Sequence, residues 1–203
     1  ANGYAYVVAW SEVRIVDVRD PAAPIEIGGY EWACEDRAPS GACSRQPYGR
    51  DLAVMEGHLY VTGSSWARDS GWLRVLDVRD PRRPILVGEI GGWQSSPVSV
   101  DVWNDHAYVA LGDSLRVVDV SEPSAPRAVA DVLPATGEGW HGSAGSVRIG
   151  DGIAYASFHN AWFGEPEHML ALFDLTNAAA PEPLAQVPFT GELGAVAVSG
   201  NVA

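Results

Sequence analysis

Apolar and polar residues alternate in short runs along most of the chain, with the two-residue period of half-buried strands and not the 3.6-residue period of helices. Runs such as Leu52-Ala53-Val54, Val98-Ser99-Val100-Asp101-Val102, Val147-Arg148-Ile149 and Ala195-Val196-Ala197-Val198 form a first strand type, A. Each is followed by a pair suited to a tight hairpin: Glu56-Gly57, Asn104-Asp105, Asp151-Gly152 and Gly200-Asn201. Such pairs accept positive φ, so A pairs antiparallel with the next run, B. Strand B carries a tyrosine at a fixed place, in Tyr6-Val7-Val8, Tyr60-Val61-Thr62, Tyr108-Val109-Ala110 and Tyr155-Ala156-Ser157. Strand C follows, as in Val13-Arg14-Ile15-Val16-Asp17-Val18 and Leu115-Arg116-Val117-Val118-Asp119-Val120.

Strand C runs into a stretch that recurs. Val16-Asp17-Val18-Arg19-Asp20-Pro21-Ala22-Ala23-Pro24 returns as Leu76-Asp77-Val78-Arg79-Asp80-Pro81-Arg82-Arg83-Pro84, as Val118-Asp119-Val120-Ser121-Glu122-Pro123-Ser124-Ala125-Pro126, and in degraded form at 173–181. The prolines predict a chain reversal, and the second begins a strand D that a proline confines to a sheet edge. The motif aspartates Asp17, Asp77, Asp119 and Asp174 stand 60, 42 and 55 residues apart. A four-strand unit of about 40–45 residues is that of a propeller blade, and the longer spacings require only loop insertions. The expected fold is therefore all-β, a β-propeller of four-stranded antiparallel blades with about four blades present. The units run approximately over 1–49, 50–96, 97–145 and 146–194, and 195–203 starts another.

With Gly3 to Val7 ahead of it, the Val-Asp-Val-Arg-Asp-Pro-Ala-Ala-Pro pattern resembles the LVIVD repeat proteins. The resemblance implies a propeller of a bacterial or archaeal surface or secreted protein, and it carries no catalytic motif. The fourth unit departs from the pattern, with Ala178 in place of the first proline, which puts its C-to-D turn in doubt. Residues 195–203 supply a strand A and its turn, and residues 1–8 enter a strand B. The terminal pieces either close a four-bladed ring or are cuts through a propeller of about six to eight blades. The unpaired edges left by a mid-strand stop favour the cut.

Composition and charge narrow the function. The 22 Gly, 14 Pro and 8 Trp suit short strands and tight turns. A net charge of −13 argues against nucleic acid, which requires clustered Lys and Arg. No run approaches the roughly 18 apolar residues of a membrane span. The chain opens without Met or a leader-like run and reads as a mature or excised piece. The two cysteines, Cys34 and Cys43, lie in one polar loop where a disulfide would tie down the excursion. That bridge implies an oxidising compartment: extracellular, cell-surface or periplasmic.

Strand order sorts the loops. The A–B and C–D connections fall at one end of a blade and are uniform. The B–C and D–A connections fall at the other, and they hold the insertions at 31–49, 63–71, 91–97, 134–146 and 158–168. Trp10, Trp32, Trp66, Trp72, Trp93, Trp140 and Trp162 lie in or beside that set, as do His141, His159 and His168. Surface tryptophan offers a broad apolar contact with one hydrogen-bond donor, whereas the same rings wedged between blades would be structural. The candidate binding residues are Trp32, Trp66, Trp93, Trp140, His141, His159, Trp162 and His168. The histidine spacings do not form a metal-ligand pattern, so neither metal nor cofactor is expected. The motif aspartates are expected to accept backbone N–H groups of the turns that follow them. Arg14, Arg74 and Arg116 are expected to pair with acidic residues on adjacent blades.

The reading that follows is a non-catalytic binding module with a protein or carbohydrate ligand on the Trp-rich end. Its rivals are a hydrolase or lyase using His141, His159 or His168 with Glu165 or Glu167, and a scaffold without ligand.

Overall fold

Tight turns form where the sequence places pairs that accept left-handed backbone. Asn2 and Gly3, Glu56 and Gly57, Asn104 and Asp105, and Asp151 and Gly152 all have φ between 45° and 80°. Positive φ at both central residues matches the twist of the flanking strands. The computed structural model describes residues 2–34, 43, 46–65, 70–134, 142–160, 168–190 and 194–199. Among them it has no helix, and so none long and apolar enough to cross a membrane.

Four antiparallel meanders result. The first contains β1 (Tyr4–Ala9), β2 (Glu12–Asp17) and β3 (Ile25–Glu31). The second is β4 (Pro47–Met55), β5 (His58–Ser65), β6 (Ser70–Asp77) and β7 (Ile85–Trp93). The third is β8 (Pro97–Trp103), β9 (His106–Leu111), β10 (Ser114–Asp119) and β11 (Arg127–Val132). The fourth is β12 (Gly142–Gly150), β13 (Ile153–Asn160), β14 (His168–Asp174) and β15 (Glu182–Phe189). These sheets are propeller blades, three of them with four strands and the first with three. The D strands β3, β7, β11 and β15 are sheet edges and are largely exposed, whereas β5, β6, β9 and β10 are mostly buried.

The expected strand at Ala195–Val198 does not form. Residues 194–199 join no sheet, and the Val196 N–H donates to Ser146 Oγ at 3.0 Å instead of to a strand neighbour.

The chain divides into two compact units, residues 1–96 with 123–125, and residues 97–122 with 126–203. In the first, Val13 and Ile15 of β2 pack with Leu59, Val61, Leu76 and Val78, closed by Trp32 and Trp72. In the second, Tyr108, Leu115 and Val117 pack with Val147, Ala156, Phe158, Phe173 and Leu175. Polar side chains join β8 to β12 inside this unit: Asp101 Oδ2 accepts the Ile149 N–H at 2.8 Å and Ser99 Oγ accepts the Val147 N–H at 3.2 Å.

The repeated motif builds turns. Asp17, Asp77, Asp119 and Asp174 accept the backbone N–H two residues on, at 3.0, 3.0, 3.0 and 2.7 Å. Asp17 also pairs with the Arg19 guanidinium and Asp77 with that of Arg79. Asp119 and Asp174 accept Ser121 Oγ–H and Thr176 Oγ1–H, both at 2.6 Å. The fourth turn survives Ala178: the Ala180 N–H donates to Asn177 O at 3.0 Å, as Ala23 does to Asp20 O and Arg83 to Asp80 O.

The arginine expectation needs correcting. Arg74 pairs with Glu89 at 2.8 Å, Arg116 with Asp131 at 2.7 Å, and Arg14 with Glu12 and Glu26 at 2.6 and 3.3 Å. All of these partners lie in the arginine's own sheet, because strand D passes directly opposite strand C: Arg74 faces Glu89 and Arg116 faces Asp131 in the strand register.

A bulge interrupts every C–D ladder at the same point of the repeat, between Ile15 and Val16, Val75 and Leu76, Val117 and Val118, and Leu172 and Phe173. The residues passed over on strand D are Ile27, Val87, Val129 and Leu184.

Candidate functional site

In the first unit, the two-residue connection between β1 and β2 presents Trp10, which is 69% exposed. Its carbonyl accepts the Gly49 N–H at 3.0 Å, which fixes the turn against β4. On β4, Tyr48 sets its ring 5.5 Å from that of Trp10 at an interplanar angle of 32°. The β4–β5 register skips a residue between Gly49 and Asp51, and a bulge of this kind redirects the residue passed over. That residue is Arg50, whose guanidinium lies 5.5 Å over the Tyr48 ring. Trp10, Tyr48 and Arg50 thus form a ladder of flat groups carried on a turn and a bulge. Burial pushes the Tyr48 phenol up, but its hydrogen bond to Arg50 and that group's charge help bring it below the ordinary tyrosine value.

The other described tryptophans of this unit are inside. Trp32 and Trp72 are 3% exposed and Trp93 is 7% exposed. Trp32 meets Trp72 edge-on, with centroids 5.3 Å apart. The Arg74 guanidinium lies 4.2 Å over Trp72 and 5.4 Å over Trp32. Gly63 leaves the space that the Trp72 ring fills. The indole nitrogens of Trp32 and Trp72 are buried with no hydrogen-bond partner among the described residues. Nearby, Cys34 and Cys43 form a disulfide, with Cα atoms 5.8 Å apart.

In the second unit, His159 and His168 stand directly opposite each other on β13 and β14, with ring centroids 6.3 Å apart. His159 is exposed and His168 half-buried. Ser143 continues the row beyond His159, and Phe189 continues it beyond His168. At the other end of the same sheets lies a shallow depression of about 310 Å³ lined by Trp103, Asn104, Asp151, Asp174, Thr176 and Leu184. Trp103 is the tryptophan that loop sorting sets apart from the rest.

Of the eight candidate binding residues, His159 and His168 come together on one row, while Trp32 and Trp93 are packed into the first unit. Trp66, Trp140, His141 and Trp162 lie outside the described residues, as do Glu165 and Glu167. Sequence reasoning missed Tyr48 and Arg50. Their only signal is the Tyr48-Gly49-Arg50 triplet, and the bulge that aims Arg50 leaves no mark on the alternation.

The LVIVD repeat model matches residues 1–31 and 96–133, the stretches that hold β1–β3 and β8–β11. Two stretches of the chain thus match the LVIVD repeat. No relative by sequence was found among curated proteins. Several solved propellers resemble this chain in fold. A computationally designed protein, Ika8, aligns with a TM-score of 0.62 at 13% identity over 99% of this chain and 51% of its own. The periplasmic gluconolactonase PpgL of Pseudomonas aeruginosa aligns with a TM-score of 0.62 at 12% identity over 91% and 54%. Apo AztD from Citrobacter koseri aligns with 0.54 at 14% over 95% and 46%. The chain therefore spans about half the length of these three proteins.

Proposed function

We propose that this chain is a non-catalytic binding module of an extracellular, cell-surface or periplasmic protein, and that its ligand, a protein or a glycan, docks on the ladder of Trp10, Tyr48 and Arg50. The observation that carries this reading is the 69% exposure of Trp10 in a chain whose other described tryptophans of the same unit are buried. Leaving an indole in water forfeits a large burial free energy, and aromatic and Arg side chains dominate contact energies where partners meet. The backbone bond to Gly49 and the stack on Tyr48 hold the group in place before binding, which lowers the entropic cost of docking. The Cys34–Cys43 disulfide supports an oxidising compartment.

The test is a glycan array and an affinity pull-down with the wild type, Trp10→Ala and Tyr48→Ala. A ligand retained by the wild type and lost in both variants supports the reading. A ligand held equally by all three moves the contact elsewhere, and no ligand in any format favours the scaffold. The rival hydrolase or lyase draws its support from the His159–His168 row. Turnover of a lactone and ester panel that vanishes in His159→Ala would replace the binding reading.

A further inference from the structure

We propose that His159 and His168 form a solvent-accessible site for a divalent transition metal, with Zn²⁺ and Cu²⁺ as the fitting ions. The site lies in the second unit and is independent of the aromatic ladder, so either can fail without the other.

Geometry is the first argument. The two residues are register partners on neighbouring antiparallel strands, which turns both side chains to one face of the sheet and holds their backbones fixed. An imidazole nitrogen binds Zn²⁺ at about 2.0–2.1 Å, which puts the ring centroid roughly 3.2 Å from the ion. Two rings sharing one ion then have centroids between about 5 Å, at the tetrahedral angle, and about 6.4 Å, when they oppose each other. The observed 6.3 Å falls inside that range near its open limit.

Availability is the second argument. Nδ1 of His168 is buried and has no hydrogen-bond partner among the described residues. Buried ring nitrogens are normally satisfied, and a metal–nitrogen bond, or a hydrogen bond formed once the ring turns to bind, removes the deficit. His159 is exposed and leaves the ion a path from solvent. The flanking Ser143 and Phe189 are neutral, so no cation competes on the row. Two imidazoles fill half of a tetrahedral shell, and water takes the other two positions, which makes the site open. Neutral nitrogen ligands favour Cu²⁺ over Zn²⁺ and select both strongly against Mg²⁺ and Ca²⁺. The net charge of −13 adds long-range attraction for any cation, so selectivity, and not binding alone, is the diagnostic.

Isothermal titration of the purified chain with Zn²⁺ and with Cu²⁺, in excess Mg²⁺, tests the site. The expected result is one ion per chain, bound more tightly for Cu²⁺. His159→Ala and His168→Gln should each weaken binding by more than the roughly 10–100-fold that losing an outer-shell partner costs. Circular dichroism of both variants verifies the fold. The Cu²⁺ complex of the wild type should show two nitrogen ligands by electron paramagnetic resonance, and one in His159→Ala. Undiminished affinity in either folded variant, or Zn²⁺ displaced by Mg²⁺, overturns the proposal.

Discussion

At the residue scale, one aspartate position does most of the turn-building. The Arg19 and Arg79 side chains hold the Asp17 and Asp77 carboxyls at about 2, and the Ser121 hydroxyl does the same for Asp119, against the ordinary 3.8. A carboxyl lowered by folding stabilises the fold above its unfolded pKa, and that contribution disappears as pH falls from 3.8 toward 2. Urea unfolding at stepped pH should show stability dropping across that window. Asp17→Asn, Asp77→Asn and Asp119→Asn should each be less stable at neutral pH and lose less on acidification. Tyr108 offers a second check. Its hydroxyl donates to Ala178 O at 2.9 Å, and burial raises its pKa far above that of a free phenol. Tyr108→Phe orphans that carbonyl and should cost about 1 kcal/mol, roughly 2–4 °C in Tm for a chain of this size. The turn-building aspartates are readable in sequence because their partners lie two residues away. The partners of Arg14, Arg74 and Arg116 are not, because they depend on how strand D registers against strand C.

At the scale of elements, two glycines do different work. Gly152 has φ +76° and nothing within 4 Å of where a Cβ would stand, so Gly152→Ala should cost only the left-handed strain, about 1–2 kcal/mol. Gly63 has no unusual φ, but a methyl there would overlap the Tyr48 carbonyl oxygen and the Trp72 ring. Gly63→Ala should therefore cost about 3 kcal/mol or more and loosen the Trp72 environment, visible as a shift in tryptophan fluorescence. The fourth C–D turn invites the opposite experiment. Its geometry matches turns that carry proline where it has Ala178, so Ala178→Pro should raise stability by about 0.4–1 kcal/mol by restricting the unfolded chain. Strand type, hairpin turns and edge position were legible from alternation and from turn residues. The C–D bulges were not, because the extra residue in each is an ordinary aliphatic that continues an ordinary run.

For the molecule as a whole, the blade architecture was legible because it repeats, and the sites were less so because they do not. Alternation tells which way a strand residue points, but not whether a large ring at its end meets water or a neighbouring sheet, and so Trp10 and Trp32 look alike on paper. The Cys34–Cys43 bridge closes a short loop, and reducing it should lower stability by about 2–3 kcal/mol, measured as a drop in Tm with reductant. The recurrent C–D bulge also has a bearing on colloidal behaviour. A chain of exposed edge strands, each with unpaired backbone groups along its outer side, is a template for the sheets of other molecules to extend. Skipping a residue at Ile27, Val87, Val129 and Leu184 breaks that template at the same point on every D-strand edge. Resistance to fibril growth is thereby copied along with the blade each time the repeat is duplicated.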